Sequence, residues 1–355
     1  MATDKTDTTR GFGPTVPAGP DIVAPAVASV RLDGRLDRSL LSPSLHQVLL
    51  GLARVRNAVS SFRLEGERVE LDRAREVLES GKAENASELG VLQLSRSYAD
   101  IARGRLPAFT ISGILEAHRK LFDGVLEPEV VGRFKTVPNV ITDPSETIVR
   151  FRPTPPDRVQ AELTSLLRWI DGPARGGLPP VVASIFFAEF QAIHPFLDGN
   201  GRLGRFLNIA LLRSLGLENS PLVPLDTRFF RTSDQYYEYL ATSNTGRSYS
   251  LWSRYYVKEL RKAYEMAARR GDLSGTLARF TRPSTRAMLR WVVTGTGDWF
   301  KRGEFHNRRG YSGPALWAAL QELVRSDVLE ERGAGKGREY RLRSGFLSDV
   351  YGRLA

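Results

Sequence analysis

The stretch His194-Pro195-Phe196-Leu197-Asp198-Gly199-Asn200-Gly201-Arg202-Leu203-Gly204-Arg205 gathers a proton acceptor, a carboxylate, a run of conformationally permissive residues and two guanidinium groups. Gly199, Asn200 and Gly201 are residue types that tolerate left-handed backbone angles, so successive N–H groups can turn inward as an anion-binding nest. A helix starting there adds the positive end of its dipole. Arg202 and Arg205 are three apart, on one face of that helix, and can fork onto phosphate oxygens. Asp198 offers a hard oxygen to magnesium, which takes one or two carboxylates when phosphates supply the rest. His194 has an unperturbed pKa near neutrality and can serve as a general base. Together these parts describe a triphosphate site with a proton acceptor, suited to transfer in which positioning and charge neutralisation dominate. The sequence holds no GxxxxGK[ST] phosphate loop. The competing reading is a glycine turn between core helices with a buried histidine and surface arginines, and the joint pattern argues against it.

Helices must deliver these residues. The apolar run Leu178–Phe190, interrupted by Ser184 and Glu189, is too short for a membrane span and reads as a core helix ending near Ile193; a second helix follows from about Leu203 to Ser214. Upstream, apolar residues recur at helical spacing over 42–81, 86–103 and 110–122, with Thr110 or Ser112 as a cap and His118 in a structural role. Between Gly132 and Pro156 the texture changes. Phe134–Ile141 and Thr147–Phe151 lean towards strand around the turn-prone Thr142-Asp143-Pro144-Ser145, which predicts a hairpin. Helices are expected again at 157–170, 233–243 and 250–270.

The chain has 355 residues, no cysteine and four histidines, so disulfides, thiolate nucleophiles and Cys-ligated metals are excluded. With 41% apolar and 26% charged residues, neither a membrane protein nor a wholly disordered chain fits. The first twenty residues show no apolar signal region, which makes a cytoplasmic location the expectation. The net charge of +11 favours anionic partners such as nucleotides, nucleic acid or acidic proteins, with a solvated arginine-rich surface as the alternative.

The run from His194 to Arg205 matches HxFx[D/E]GNGRxxR, the signature of the Fic (filamentation induced by cAMP) family, at every fixed position, and the chain resembles that family over about residues 45–266. The resemblance implies AMP transfer from ATP to a Ser, Thr or Tyr hydroxyl of a protein, this chain included, with release of pyrophosphate. It implies that His194 deprotonates the target, Asp198 holds Mg2+, Gly199, Asn200 and Gly201 cradle phosphate, Arg205 receives the γ-phosphate and Arg202 assists. Phe196 would anchor the loop in the core. The hairpin would be a flap that aligns the target by strand pairing, with Gly132, Arg133, Lys135, Thr136 and Val137 as its candidates. Tyr236 and Tyr237 resemble the segment lining the family's adenine pocket; core packing is the competing reading for such a pair.

Ser61-Phe62-Arg63-Leu64-Glu65-Gly66 resembles the [S/T]xxxE[G/N] inhibitory motif that precedes the Fic core in one group of the family. Ser61 and Glu65 are four apart and share a helical face. A carboxylate brought to Arg205 would compete with the γ-phosphate for one guanidinium, allowing ATP to bind out of its productive pose. In some relatives this glutamate helps remove AMP instead, so the direction of reaction stays open.

Residues 271–355 hold 15 Lys or Arg against 9 Asp or Glu. Their expected order of helices over 284–294, 298–304 and 313–326, then strands at 328–332 and 338–342, is that of a winged helix-turn-helix. The 313–326 helix puts Leu316, Trp317, Leu320, Leu323 and Val324 on its periodic positions and has few basic residues. Arg308, Arg309, Lys336 and Arg338 fall in turn and wing positions, so DNA is a candidate partner beside protein docking.

The expected fold is mainly α: a Fic-fold helical bundle with a β-hairpin flap, plus a C-terminal winged helix-turn-helix. The expected organisation is a disordered tail over 1–30, a helical segment with the inhibitory motif over 31–105, a Fic core over 106–270 and a winged helix over 271–355. The leading function is an autoinhibited protein adenylyltransferase; a Fic-fold enzyme moving another phosphate-containing group and a nucleotide-sensing DNA-binding regulator are the alternatives. The intact Gly201, Arg202 and Arg205 argue against the kinase-like variant. Homodimer formation is expected only on the general ground that helical surfaces often pair.

Overall fold

The structure is a computed structural model that describes residues 12–36, 43–142, 149–246, 248–278, 280–294, 299–309 and 311–343. It divides into two units, Met1–Ala268 and Arg269–Ala355. In chain order the elements up to the site are α1 (Pro20–Arg35), α2 (Pro43–Leu64), α3 (Leu71–Ser80), α4 (Ala86–Ala102), α5 (Ile111–Phe122), β1 (Ile141–Thr142), β2 (Val149–Phe151), α6 (Pro156–Asp171), α7 (Pro179–Ile193) and α8 (Asn200–Ser214). Then come α9 (Leu225–Arg231), α10 (Ser233–Gly246) and α11 (Ser250–Ala278).

Local chemistry explains the boundaries. The Asn85 side chain accepts the Glu88 N–H at the start of α4, and Thr110 accepts the Gly113 N–H at the start of α5. Proline in the first turn of α6 and α7 costs no hydrogen bond there, because those N–H groups have no intrahelical partner. Gly81, with φ 72°, ends α3 in the left-handed conformation.

Helix α7 is apolar almost all round and is buried on nearly every side, as a helix of that composition must be. It packs on α8, α6 and α1. An aromatic cluster joins it to the following helices: Phe187 stacks on Trp252 at 5.5 Å, and Phe229 lies 5.1 Å from Tyr236. Helix α2 is held equally firmly, against α4 and α9. Asn57 donates to the Val223 carbonyl and accepts the Asp226 N–H, while Ser60 bonds to Thr227. Phe62 is 1% exposed and fills the space left by Gly90, where a Cβ would stand 2.9 Å from ring atom Cε1 and closer still to Cζ.

Two expectations are corrected. The tail does not extend to residue 30, because Pro20–Arg35 forms α1, whose Asp33 accepts bonds from Tyr264 and Asn219; residues 1–11 lie outside the described residues. The helical spacing over 42–81 resolves into α2 and α3, parted by a turn whose Val69 carbonyl accepts from Arg63. Among the described residues β1 pairs with β2 through Ile141–Phe151 and Thr142–Val149, so the first strand is shorter than expected. Phe134 to Val140 is not strand, since Lys135 and Asn139 spend their hydrogen bonds on the segment 193–196. Of the turn expected at Thr142–Ser145, residues 143–145 lie outside the described residues.

The C-terminal unit contains α12 (Pro283–Thr294), β3 (Phe300–Lys301), α13 (Arg302–Arg309), α14 (Gly313–Arg325), β4 (Leu329–Arg332) and β5 (Glu339–Leu342), with antiparallel strand order β3-β5-β4. Met288, Leu289, Phe300, Leu316, Leu320, Leu323 and Tyr340 form its core. Trp317, one of the periodic positions of α14, is 42% exposed. The side chains of Arg308, Arg309 and Lys336 lie outside the described residues. No described helix is long and apolar enough to cross a membrane.

Gly90→Val tests the slot. It forces Phe62 out of its place and lowers the unfolding free energy by about 1–3 kcal/mol, read as a lower urea midpoint.

Candidate active site

Helix α7 delivers His194 in a left-handed cap, φ 50° and ψ 63°, with its N–H still bonded to the Phe190 carbonyl. A non-glycine residue held there stores strain of the kind that accompanies functional sites. Ring atom Nδ1 donates to the Gln191 carbonyl at 3.3 Å, leaving Nε2 as the acceptor. Burial, and then the nearby Lys135 ammonium, push His194 down to about 4, outweighing the Gln191 carbonyl, Glu65 and Asp198. The imidazole is therefore neutral and able to accept a proton at physiological pH.

The loop to α8 is closed by side chains. Asn200 accepts the Phe196 N–H at 2.9 Å and donates to the Phe196 carbonyl at 2.8 Å. Gly199 has φ 80°, and a Cβ there would meet Phe122 and His118, so the position requires glycine twice over. His118 stacks on Phe196 with centroids 3.9 Å apart. Its Nδ1 accepts the Gly132 N–H and its Nε2 donates to the Asp198 carbonyl, both at 3.0 Å, and burial pushes it down to about 4. That is the structural role expected of His118. The Lys135 N–H donates to the Pro195 carbonyl, and Asn139 donates to the Phe196 carbonyl.

Arg205 is 1% exposed. Its Nε donates to Ser61 Oγ at 2.8 Å, Nη2 donates to the Ser61 carbonyl at 2.9 Å and to Glu65 Oε1 at 2.6 Å, and Nη1 donates to Tyr236 at 3.3 Å. Burial works against the charge, and Glu65, Tyr236 and Asp226 more than offset it, raising the guanidinium's pKa. Asp226 is buried with Tyr98 as its hydrogen-bond donor at 2.7 Å, and burial pushes it up to about 6. Glu65 also lies on Gly201, where any Cβ would collide with the carboxylate. Arg202 sits between the rings of Phe62 and Phe122, at 5.0 and 4.9 Å, and donates to Asp198 Oδ1 at 3.2 Å.

Thus His194, Asp198, Gly199 to Gly201, Arg202 and Arg205 converge with Ser61 and Glu65, which lie far upstream in the chain. Tyr236 joins them through its hydroxyl alone. Its ring is buried among Phe187, Phe229 and Trp252, the core packing that is the competing reading for this pair. Tyr237 keeps a 41% exposed side chain and donates to the Leu64 carbonyl. Arg133, Thr136 and Val137 are exposed, while Lys135 is buried and faces the loop, so it is not a surface flap residue. Sequence reading missed Asp226 and Tyr98 behind Arg205, Phe122 beneath Arg202, and Asn139. None carries a local signal, because each acts across long stretches of chain.

Residues 108–212 match the Fic/DOC family model, and this span holds the whole of His194–Arg205. The matched span is a Fic/DOC domain. Protein adenylyltransferase fic-1 of Caenorhabditis elegans is 28% identical over 193 residues, 52% of this chain and 35% of that protein. Protein adenylyltransferase Fic of Nematostella vectensis is 27% identical over 191 residues, 52% of this chain and 42% of that protein. The match thus spans well under half the length of these relatives. Among solved structures, a Fic family protein from Desulfovibrio desulfuricans G20 superposes with a TM-score of 0.64 at 22% identity, covering 94% of this chain and 98% of that one. A Fic domain containing signaling protein from Bacteroides thetaiotaomicron gives 0.55 at 18% identity, covering 71% and 96%. Both likenesses concern the fold.

Asn200→Ala removes both bonds to Phe196 and leaves buried main-chain groups unpaired. It lowers the unfolding free energy by about 2–4 kcal/mol, measured by urea denaturation.

Proposed function

We propose that this chain is an autoinhibited protein adenylyltransferase that moves AMP from ATP to a Ser, Thr or Tyr hydroxyl of a protein and releases pyrophosphate. The observation that carries the reading is the Glu65–Arg205 pair, 2.6 Å, set inside a phosphate cradle beside a neutral histidine. The adenylyltransferase relatives named above support it.

In this reading His194 Nε2 takes the target's proton as the hydroxyl oxygen attacks the α-phosphorus and the bond to the β-phosphate bridge breaks. The N–H groups of Gly199, Asn200 and Gly201 at the start of α8 hold phosphate oxygens, Arg205 receives the γ-phosphate, and Arg202 steadies Asp198. Asp198 fits magnesium: Oδ1 accepts from Gly199 and Arg202, Oδ2 has no hydrogen-bond partner among the described residues, and the side chain is 55% exposed. When bound, the ion neutralises phosphate charge. Glu65 occupies the guanidinium that the γ-phosphate needs, which is the inhibition. Arg133, Thr136 and Val137 offer an exposed edge to a target segment, and Tyr237 offers an exposed ring beside Leu64.

The C-terminal unit is read as a winged helix from its element order and three-stranded sheet. Its wing favours a protein surface over DNA. Arg332, Arg338, Arg341 and Arg343 pair with Glu339, Glu331, Glu330 and Asp327, so their charge is already answered.

The test is α-labelled ATP incorporation with intact mass. Glu65→Gly raises self-labelling about tenfold or more, as expected on removing a charge-assisted competitor, and adds the mass of AMP; His194→Ala in that background abolishes it. An unlabelled Glu65→Gly chain that still binds ATP would point instead to removal of AMP or to nucleotide sensing, and a different added mass to another transferred group. The pH dependence follows from His194. Its neutral form is active and its pKa is lowered, so the Glu65→Gly rate stays level from about pH 8 to about pH 5 and falls only as pH approaches 4.

A further inference from the structure

Lys135 is 4% exposed, yet its ammonium has only neutral oxygens as hydrogen-bond partners among the described residues: Asn139 Oδ1 at 2.8 Å and the Ile193 carbonyl at 3.4 Å. Burial pushes it down to about 8, outweighing the attraction of the Glu162 carboxylate, so keeping the charge there is costly. Sites that retain such a group commonly use it. Its main-chain N–H donates to the Pro195 carbonyl at 3.0 Å, and Asn139 donates to the Phe196 carbonyl at 3.2 Å. Three carbonyls around His194, those of residues 193, 195 and 196, are therefore held by two residues of the preceding segment. Between these two feet Thr136, Val137 and Pro138 are exposed. The segment is an arch whose feet stand on the catalytic loop and whose crown faces outward.

We propose that Lys135, with Asn139, is a positioning residue that ties the target-facing arch to His194, so that whatever docks on residues 136–138 is held at a set distance from the base. This rests on the adenylyltransferase reading for its consequence, though not for its geometry. Two effects are separable. The hydrogen bonds hold the loop that carries His194, and the charge acts on the imidazole itself. The ionisable groups acting on His194 are Lys135, which disfavours a second positive charge, and Glu65 and Asp198, which favour it. Losing the ammonium thus makes His194 easier to protonate. Losing Asn139 loosens the loop and leaves that charge in place.

The experiment uses the full chain, with and without Glu65→Gly, carrying Lys135→Met, Lys135→Arg or Asn139→Ala. The first readout is the ring titration of His194 by NMR in 15N-histidine-labelled protein, assigned with His194→Gln. Lys135→Met raises its midpoint by roughly one pH unit, and Lys135→Arg leaves it in place. The second is self-labelling in the Glu65→Gly background. At saturating ATP, Lys135→Met and Asn139→Ala lower the maximal rate about tenfold or more with KM for ATP within about twofold, and Lys135→Arg restores most of it. Asn139→Ala does so without moving the His194 titration. An unchanged titration and rate in Lys135→Met, or no rescue by Lys135→Arg, overturns the proposal. If Lys135→Met fails to fold, Asn139→Ala decides: a lower rate at unchanged KM for ATP supports the arch, and an unchanged rate overturns it. If the Glu65→Gly parent never takes label, the transferase reading fails, and the NMR titration alone decides the tie between Lys135 and His194.

Discussion

A guanidinium with almost no contact with water must be given oxygens by the protein, and at Arg205 this need organises the domain. Helix α8 supplies the arginine. Helix α2 supplies the Ser61 hydroxyl and carbonyl, the turn that follows it supplies the Glu65 carboxylate, and α10 supplies the Tyr236 hydroxyl. Behind them Asp226, at the start of α9, balances the charge from the core side. Leaving such a group unpaired would cost several kcal/mol, on the order of 3–5. The end of α2, with the turn that carries Glu65, is therefore built into the site. Asn57, Ser60 and Phe62 lock α2 to α9 and α4.

The same helix serves the second arginine. Phe62, one residue after Ser61, forms one wall of the slot in which Arg202 lies, and Phe122 of α5 forms the other. Arg202 in turn holds Asp198. Arg205, Arg202 and Asp198 are thus coupled through Ser61 and Phe62, adjacent residues of α2. The loop between α7 and α8 completes the coupling from the other side. His194 and Gly199 both take left-handed backbone angles, and Asn200 closes the turn between them. His118 backs it as a neutral, doubly bonded ring.

Most of the helices were legible because their apolar spacing and caps are local. Thr110 as a cap and the apolar α7 follow from neighbours a few residues away. The hairpin was misjudged for the opposite reason. Phe134 to Val140 has strand-forming residues, but its polar groups are drawn to carbonyls some 58 residues downstream, and tertiary bonds overrode local preference. Trp317 illustrates the same limit in the C-terminal unit: a helical period locates a face without saying whether something covers its edge. Helix α1 escapes an apolar-period reading because two of its four buried positions, Ser29 and Asp33, are polar. Asp33, bonded to Tyr264 and Asn219, anchors it.

By itself the sequence determined the chemistry on offer: residue types from His194 to Arg205 whose order defines a base, a carboxylate, a nest and two arginines, and Ser61 and Glu65 four residues apart. Those are statements about neighbours, which a chain carries locally. Only the tertiary structure decided that Glu65 meets Arg205, that Tyr236 contributes a hydroxyl and not a ring, that Phe62 and Phe122 enclose Arg202, and that Lys135 turns inward towards His194. Each of these joins residues far apart in the chain, and their partners were selected by burial, which satisfies buried charges and polar groups with whatever the packed helices bring within reach.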